Sequence, residues 1–167
     1  MARITACELP AGALLARYRA SGAYTDCYAT SVPHRVAQAR YVEAFYTTPL
    51  FKVERLLLKW FAGRPSTDAE AQRLAAGEIA TFAAWSVEAR QGDQLLLCDF
   101  TGRTRSWLMS APDATGPSPA TTLYFGSAVV PRNPHGPMGT GFRTLLGFHH
   151  VYSRALLRSA VMRLGAA

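Results

Sequence analysis

The sequence predicts an α+β fold: an antiparallel sheet, a long amphipathic helix near the C-terminal end, and two or three helices between the first strand and the rest of the sheet. Three stretches carry this expectation. Residues 78–110 are apolar runs broken by short turns bearing Gly92 and Gly102, the pattern of a three-stranded meander with tight, positive-φ connections. Residues 121–130 alternate Leu123, Phe125 and Val129 with Tyr124, Gly126 and Ala128, which adds a strand. Over residues 142–164, at about 100° per residue, Phe142, Leu145, Leu146, His149, Tyr152, Leu156, Leu157, Ala160 and Leu164 share one helical face. Arg143, His150, Arg154 and Arg158 share a neighbouring face.

In chain order, residues 6–19 suit a short helix or a loosely packed lead-in. A first strand follows, with Tyr24, Asp26, Tyr28 and Thr30 on one side. Pro33, with Ser31 nearby as a cap, opens a helix that reaches Tyr46 and buries Val36, Ala39, Val42 and Phe45 or Tyr46. Thr48-Pro49 starts the next, with Leu50, Val53, Leu57 and Phe61 at helical spacing, and Gly63 and Pro65 end it. Thr67 and Glu70 match a capping box for a third helix ending near Gly77. In the first run of the meander Ala83, Trp85, Val87 and Ala89 are expected on one face, and Ala84, Ser86, Glu88 and Arg90 on the other. Residues 111–120 read as a loop. Residues 131–141, rich in proline and glycine, read as a connector or a flap.

With 167 residues, 49% apolar and 17% charged, the chain is expected to form one domain over residues 1–167 with a sizeable core. No apolar run approaches the ~20 residues of a membrane span, and the first residues lack the core and cleavage site of a signal peptide. A cytoplasmic location follows as the expectation. Cys7, Cys27 and Cys98 are odd in number and widely spaced, so reduced thiols are expected. The net charge of +7 comes mostly from arginines scattered along the chain, with no clustered nucleic-acid footprint. A basic surface of this kind still favours anionic partners. Dinucleotide, Walker, nucleophile-elbow and zincin motifs are all lacking, so no cofactor is expected. His34, His135, His149 and His150 have no metal-ligand spacing, and neighbouring rings on a helix diverge by about 100°, so no metal is expected either.

The order strand, helices, antiparallel strands, long C-terminal helix resembles the helix-grip fold of the START-like and polyketide-cyclase-like superfamily. More narrowly, residues 24–28, residues 99–109 and the stretch Phe148-His149-His150-Val151-Tyr152-Ser153-Arg154 are similar to a bacterial domain family of unknown function, sometimes found behind dehydrogenase-like domains. The resemblance implies a curved sheet wrapped around the last helix, with a pocket between them for an apolar ligand. A curved sheet cannot close completely on one helix, so side chains or a ligand must fill what remains.

His149, midway along the apolar helical face, is the leading candidate: a core histidine with a satisfied ring, or a cavity-facing acid/base or ligand anchor. Asp26 and Asp99 are its candidate carboxylate partners. Asp99 equally suits a strand-ending turn, and Asp26 an ion pair with an arginine. Trp85, Trp107, Met109, Tyr124 and Phe125 are candidate cavity-lining residues, or else plain core, and Tyr152 shares the helical face of His149. Arg105, on the strand face of Trp107 and Met109, would place a guanidinium where a carboxylated ligand could bind, or else sit solvated at the sheet edge. Three functions follow: a small-molecule binding domain; a cofactor-free cyclase, dehydratase or isomerase using His149 with Asp26 or Asp99; and a dimeric interaction module using a sheet edge or the basic side of the last helix.

Overall fold

The computed structural model describes residues 3–53, 55, 63, 65–113, 119–131 and 140–165, with residues 140–148 as backbone alone. The elements are β1 (Thr5–Ala6), α1 (Ala16–Ala20), β2 (Tyr24–Val32), α2 (Gln38–Tyr46), α3 (Asp68–Ala76), β3 (Thr81–Phe82), β4 (Trp85–Gln91), β5 (Gln94–Asp99), β6 (Thr104–Asp113), β7 (Ala120–Val129) and α4 (Thr140–Gly165). All strands pair antiparallel in one seven-stranded sheet, in the order β1-β2-β7-β6-β5-β4-β3. The sheet wraps the long C-terminal helix in a helix-grip-type arrangement, as the sequence predicts.

Alternation along each strand divides the apolar residues between two faces. The inner face carries Tyr28, Val32, Leu95, Leu97, Leu108, Leu123 and Phe125, which pack with α2, α3 and the second half of α4. From α4 come Leu156, Leu157, Ala160 and Leu164; from α2, Tyr41, Val42, Phe45 and Tyr46. The outer face carries Cys27, Leu96, Trp107, Met109 and Ala128, covered by the lead-in through Ala13 and Leu15. Gln94 pins that cover: its Oε1 accepts from Leu14 N and Trp107 Nε1, each at 2.9 Å, and its Nε2 donates to Gly12 O at 3.1 Å. Gly126 permits the close approach, because a Cβ there would lie 2.9 Å from both Asp26 O and Leu15 Cδ2 and 3.0 Å from a Trp107 ring carbon.

Several boundaries differ from the sequence expectation. The meander is present, but its first strand begins at Trp85 after a small hairpin with β3, turned through Ala83 at φ 52°. A bulge between Val87 and Ala89 then shifts the register, so Val87 packs inward and Ala89 outward. Strict period two fails there because the extra residue, Glu88, is drawn to cations on the outer face: it pairs with Arg17 and Arg105 and accepts from Tyr18 Oη. Gly102 has a positive φ of 72°, whereas Gly92 does not adopt that region.

β2 continues through Ser31 and Val32, paired with Thr122 and Thr121, so α2 starts at Gln38 rather than near Pro33. Its buried stripe runs Gln38, Tyr41, Val42, Phe45, Tyr46, which leaves Ala39 exposed; Gln38 is buried because its Nε2 donates to Leu108 O. β6 runs on through Pro112 and Asp113, residues expected in a loop, because they pair with Thr121 and Ala120. The capping box at α3 is present: Thr67 Oγ1 accepts from Glu70 N, and Glu70 accepts from Thr67 N. Residues 49–53 are helical as expected, while Leu57, Phe61 and most of residues 131–141 lie outside the described residues.

Candidate functional site

Where α4 leaves the deeper core, the inner face of the sheet does not close on it. The cavity left there has a volume of about 610 Å³. Its walls are Phe45 from α2, Leu50, Phe51 and Val53 from the following helical turn, Trp85 from β4, Ser106 from β6, Phe125 and Ser127 from β7, and the α4 residues His149, Tyr152, Ser153 and Leu156. Val53 and Val151, both exposed, also border it. Among the described residues the wall is mostly apolar, and a row of polar side chains crosses the sheet beside it.

Strand register produces that row. Asp26 on β2 lies opposite Ser127 on β7, and Ser127 lies opposite Ser106 on β6. All three share the inward parity of Tyr28, Phe125 and Leu108. Tyr46 Oη meets Ser106 Oγ at 3.1 Å. Asp26 Oδ1 accepts two bonds from Ser127, from N at 3.0 Å and from Oγ at 2.7 Å. His149 Nε2 lies 2.7 Å from Ser127 Oγ and 3.3 Å from Asp26 Oδ2.

Hydrogen counting then sets the tautomer. The single hydroxyl proton of Ser127 is given to Asp26, so Ser127 Oγ can only accept from His149. A carboxylate oxygen at 3.3 Å likewise favours a proton on Nε2. The ring is therefore held with its Nε2–H donated to the sheet. Ser127 is not arranged as a nucleophile, because a serine hydrolase needs the imidazole to receive the hydroxyl proton, not to donate to the oxygen. What the group offers is an oriented imidazole backed by a buried carboxylate, beside an apolar space.

His150 approaches the same carboxylate from the adjoining side, with Nδ1 3.9 Å from Asp26 Oδ2. Its ring is held between Tyr28 Oη at 2.5 Å and Tyr24 Oη at 3.3 Å. Burial, with the negative charge of Asp26, pushes the Tyr28 phenol up to about 12, so it keeps its proton. Neighbouring histidines do diverge on the helix, yet one aspartate lies between them. Asp26 takes these imidazoles and a serine in place of the expected arginine.

The remaining candidates divide by face. Trp85, His149 and Tyr152 line the cavity together, and so does Phe125. Arg105 borders it along its strand, but its guanidinium is turned to the outer face, bonded to Glu88 Oε2 at 2.9 Å and Tyr18 Oη at 2.8 Å. Trp107, Met109 and Tyr124 belong to the outer cluster, where the Trp107 indole is satisfied by Gln94. Asp99 ends its strand, accepting from Thr101 Oγ1 at 2.6 Å, Arg103 N at 2.8 Å and Thr104 N at 2.9 Å. The structure thus brings Asp26 but not Asp99 into contact with His149.

Sequence reasoning missed Ser106, Ser127 and Ser153 as cavity residues. Ser127 has a signal in hindsight, since it continues the inward series Leu123, Phe125. Among the described residues no group of three or more His, Cys, Asp or Glu is arranged to hold a metal ion. No protein-family model, curated protein or solved structure matches the chain.

Proposed function

We propose that the protein binds a small, mostly apolar molecule in the cavity between the inner face of the sheet and α4, in the manner of the START-like and polyketide-cyclase-like domains it resembles. The observation that carries the reading is the cavity itself: about 610 Å³, within the range of small-molecule sites, with mostly apolar walls and a few polar side chains among them. Protein interiors close-pack unless something else fills the space. A thermal-shift screen of uncharged aromatic and polycyclic compounds tests it. Binders raise Tm in proportion to log concentration, and Ala155→Trp, which fills the cavity from α4, removes the shift without unfolding the protein. A screen in which Ala155→Trp responds as strongly as the parent protein contradicts the reading.

The hydrogen-bonded group His149–Ser127–Asp26 favours a second reading, cofactor-free proton transfer on the bound molecule of the cyclase, dehydratase or isomerase type. His149 would accept or return the proton at Nδ1, with Asp26 and Ser127 as positioning residues. On this reading His149→Ala abolishes turnover of a bound substrate while leaving binding within a few-fold. Equal turnover by the variant excludes it.

A further inference from the structure

Two polar groups in the cavity wall are buried without a hydrogen-bond partner among the described residues: Ser153 Oγ, on a side chain with no exposure, and Trp85 Nε1. Native proteins rarely leave such groups bare. Both can donate to an oxygen, and a tryptophan N–H can do nothing else. His149 faces the same space with its Nε2–H already engaged by the sheet.

Behind the polar row of the cavity wall lies one acidic side chain, Asp26, while the guanidinium of Arg154 is turned to the groove on the far side of it, over the Tyr28 ring. The Asp26 side chain is almost fully buried, and its Oδ2 lies 3.3 Å from His149 Nε2 and 3.9 Å from His150 Nδ1. The guanidinium of Arg105, which would have been the natural counter-ion for an acidic ligand, lies on the other side of the sheet with Glu88. A ligand carboxylate would lie near a buried carboxylate, in a medium where like charges repel strongly.

We infer that the cavity selects uncharged molecules, an apolar body carrying a carbonyl or similar neutral acceptor that receives a hydrogen bond from Ser153 or Trp85, and discriminates against carboxylates. This rests on the ligand-binding reading above. The test uses a pair matched in size and shape, 2-acetylnaphthalene and 2-naphthoate, titrated calorimetrically into the whole protein. The ketone is expected to bind at least about tenfold more tightly, and Ser153→Ala to weaken ketone binding about fivefold, the effect of one lost hydrogen bond. Without ligand, Ser153→Ala should raise Tm slightly, because it removes a buried hydroxyl that has no partner. Naphthoate binding as tightly as the ketone overturns the selectivity and leaves the cavity reading standing. Binding of neither up to the solubility limit overturns both.

A different observation carries a second inference. Cys7 continues the β1–β2 ladder, donating N–H to Cys27 O at 3.0 Å, and the two sulfurs lie 3.4 Å apart. Directly opposed residues of an antiparallel pair have the Cα separation a disulfide needs. Both cysteines border an open groove at the sheet edge, where Cys7 is half-buried. We propose that Cys7 and Cys27 form a reversible disulfide by exchange with a small-molecule disulfide such as oxidised glutathione. Cys7 thiolate attacks the glutathione disulfide and one glutathione leaves as thiol. Cys27 thiolate then attacks the Cys7 sulfur, and the second glutathione leaves. Burial raises both thiols, most of all Cys27, so closure is slow at neutral pH and faster at alkaline pH.

Equilibration of the protein with a glutathione redox buffer, alkylation and peptide mapping tests this. The expected product links Cys7 to Cys27, leaves Cys98 alkylated, and in Cys27→Ala stops at a glutathione adduct of Cys7. Three alkylated cysteines under oxidising buffer, or an unresolved Cys7 adduct in the parent protein, overturns it.

Discussion

Ala83 holds φ at 52° in the turn between β3 and β4, where glycine is the usual residue. The left-handed region costs a non-glycine residue about 1–2 kcal/mol, part of which glycine gives back through its freer unfolded chain. Ala83→Gly is therefore expected to stabilise the protein by up to about 1 kcal/mol, read as a higher urea midpoint at unchanged m-value. Gly126 is the opposite case. A methyl group there meets a backbone oxygen that cannot give way, so Gly126→Ala should cost about 1–3 kcal/mol and disturb the fluorescence of Trp107. Tyr28 supplies a pH dependence with a definite sign. Its phenol is raised in the folded state, so the stability it contributes is complete below the unfolded value near about 10 and is lost as pH rises toward about 12. Over that window Tyr28→Phe should lose stability less steeply than the parent, by up to about 1 kcal/mol per pH unit, in urea unfolding at fixed pH. At this scale the sequence exposed His149 and Asp26 as residues out of place on an apolar helical face and in a strand interior. Alternation with Leu123 and Phe125 marks Ser127 as inward-facing, but its partner is fixed only when the register sets it against Asp26.

The outer cover shows what an element gains from one side chain. Gln94 joins β5 to the lead-in and to Trp107 on β6 through bonds from both ends of its amide. Gln94→Ala leaves the Leu14 and Trp107 donors without it, and is expected to destabilise by about 2–4 kcal/mol in chemical denaturation, with the lead-in exchanging its amide hydrogens first. β4 teaches a related lesson about legibility. Its alternation correctly marked a strand, but the bulge at Glu88 reversed the faces beyond it, and nothing in the apolar pattern registers an extra residue. β1 and β3 have two residues each, too short for any period to be read. The long elements were legible because their patterns repeat: α4, the meander, β7 and the capped α3 all follow from local chemistry.

For the molecule as a whole, the decisive fact is which side of the sheet each residue faces. Trp107, Met109 and Tyr124 suit a binding pocket by composition, yet the sheet has two apolar faces and these three build the one covered by the lead-in. Sequence alone gives each strand its two sides without saying how the sides of different strands correspond, since that is fixed by pairing register and bulges. Once the register is set, the inner face holds a deep core under α2 and the end of α4, and a less filled space beside His149. The measurement that tests the account most directly is a crystal structure of the protein grown with 2-acetylnaphthalene. The account predicts the ring system between α4 and the inner face, against Trp85, Phe125 and Tyr152, with its carbonyl oxygen within hydrogen-bond reach of Ser153 or Trp85. A ligand seated on the outer face, or a space by His149 closed by the protein's own side chains, would contradict it.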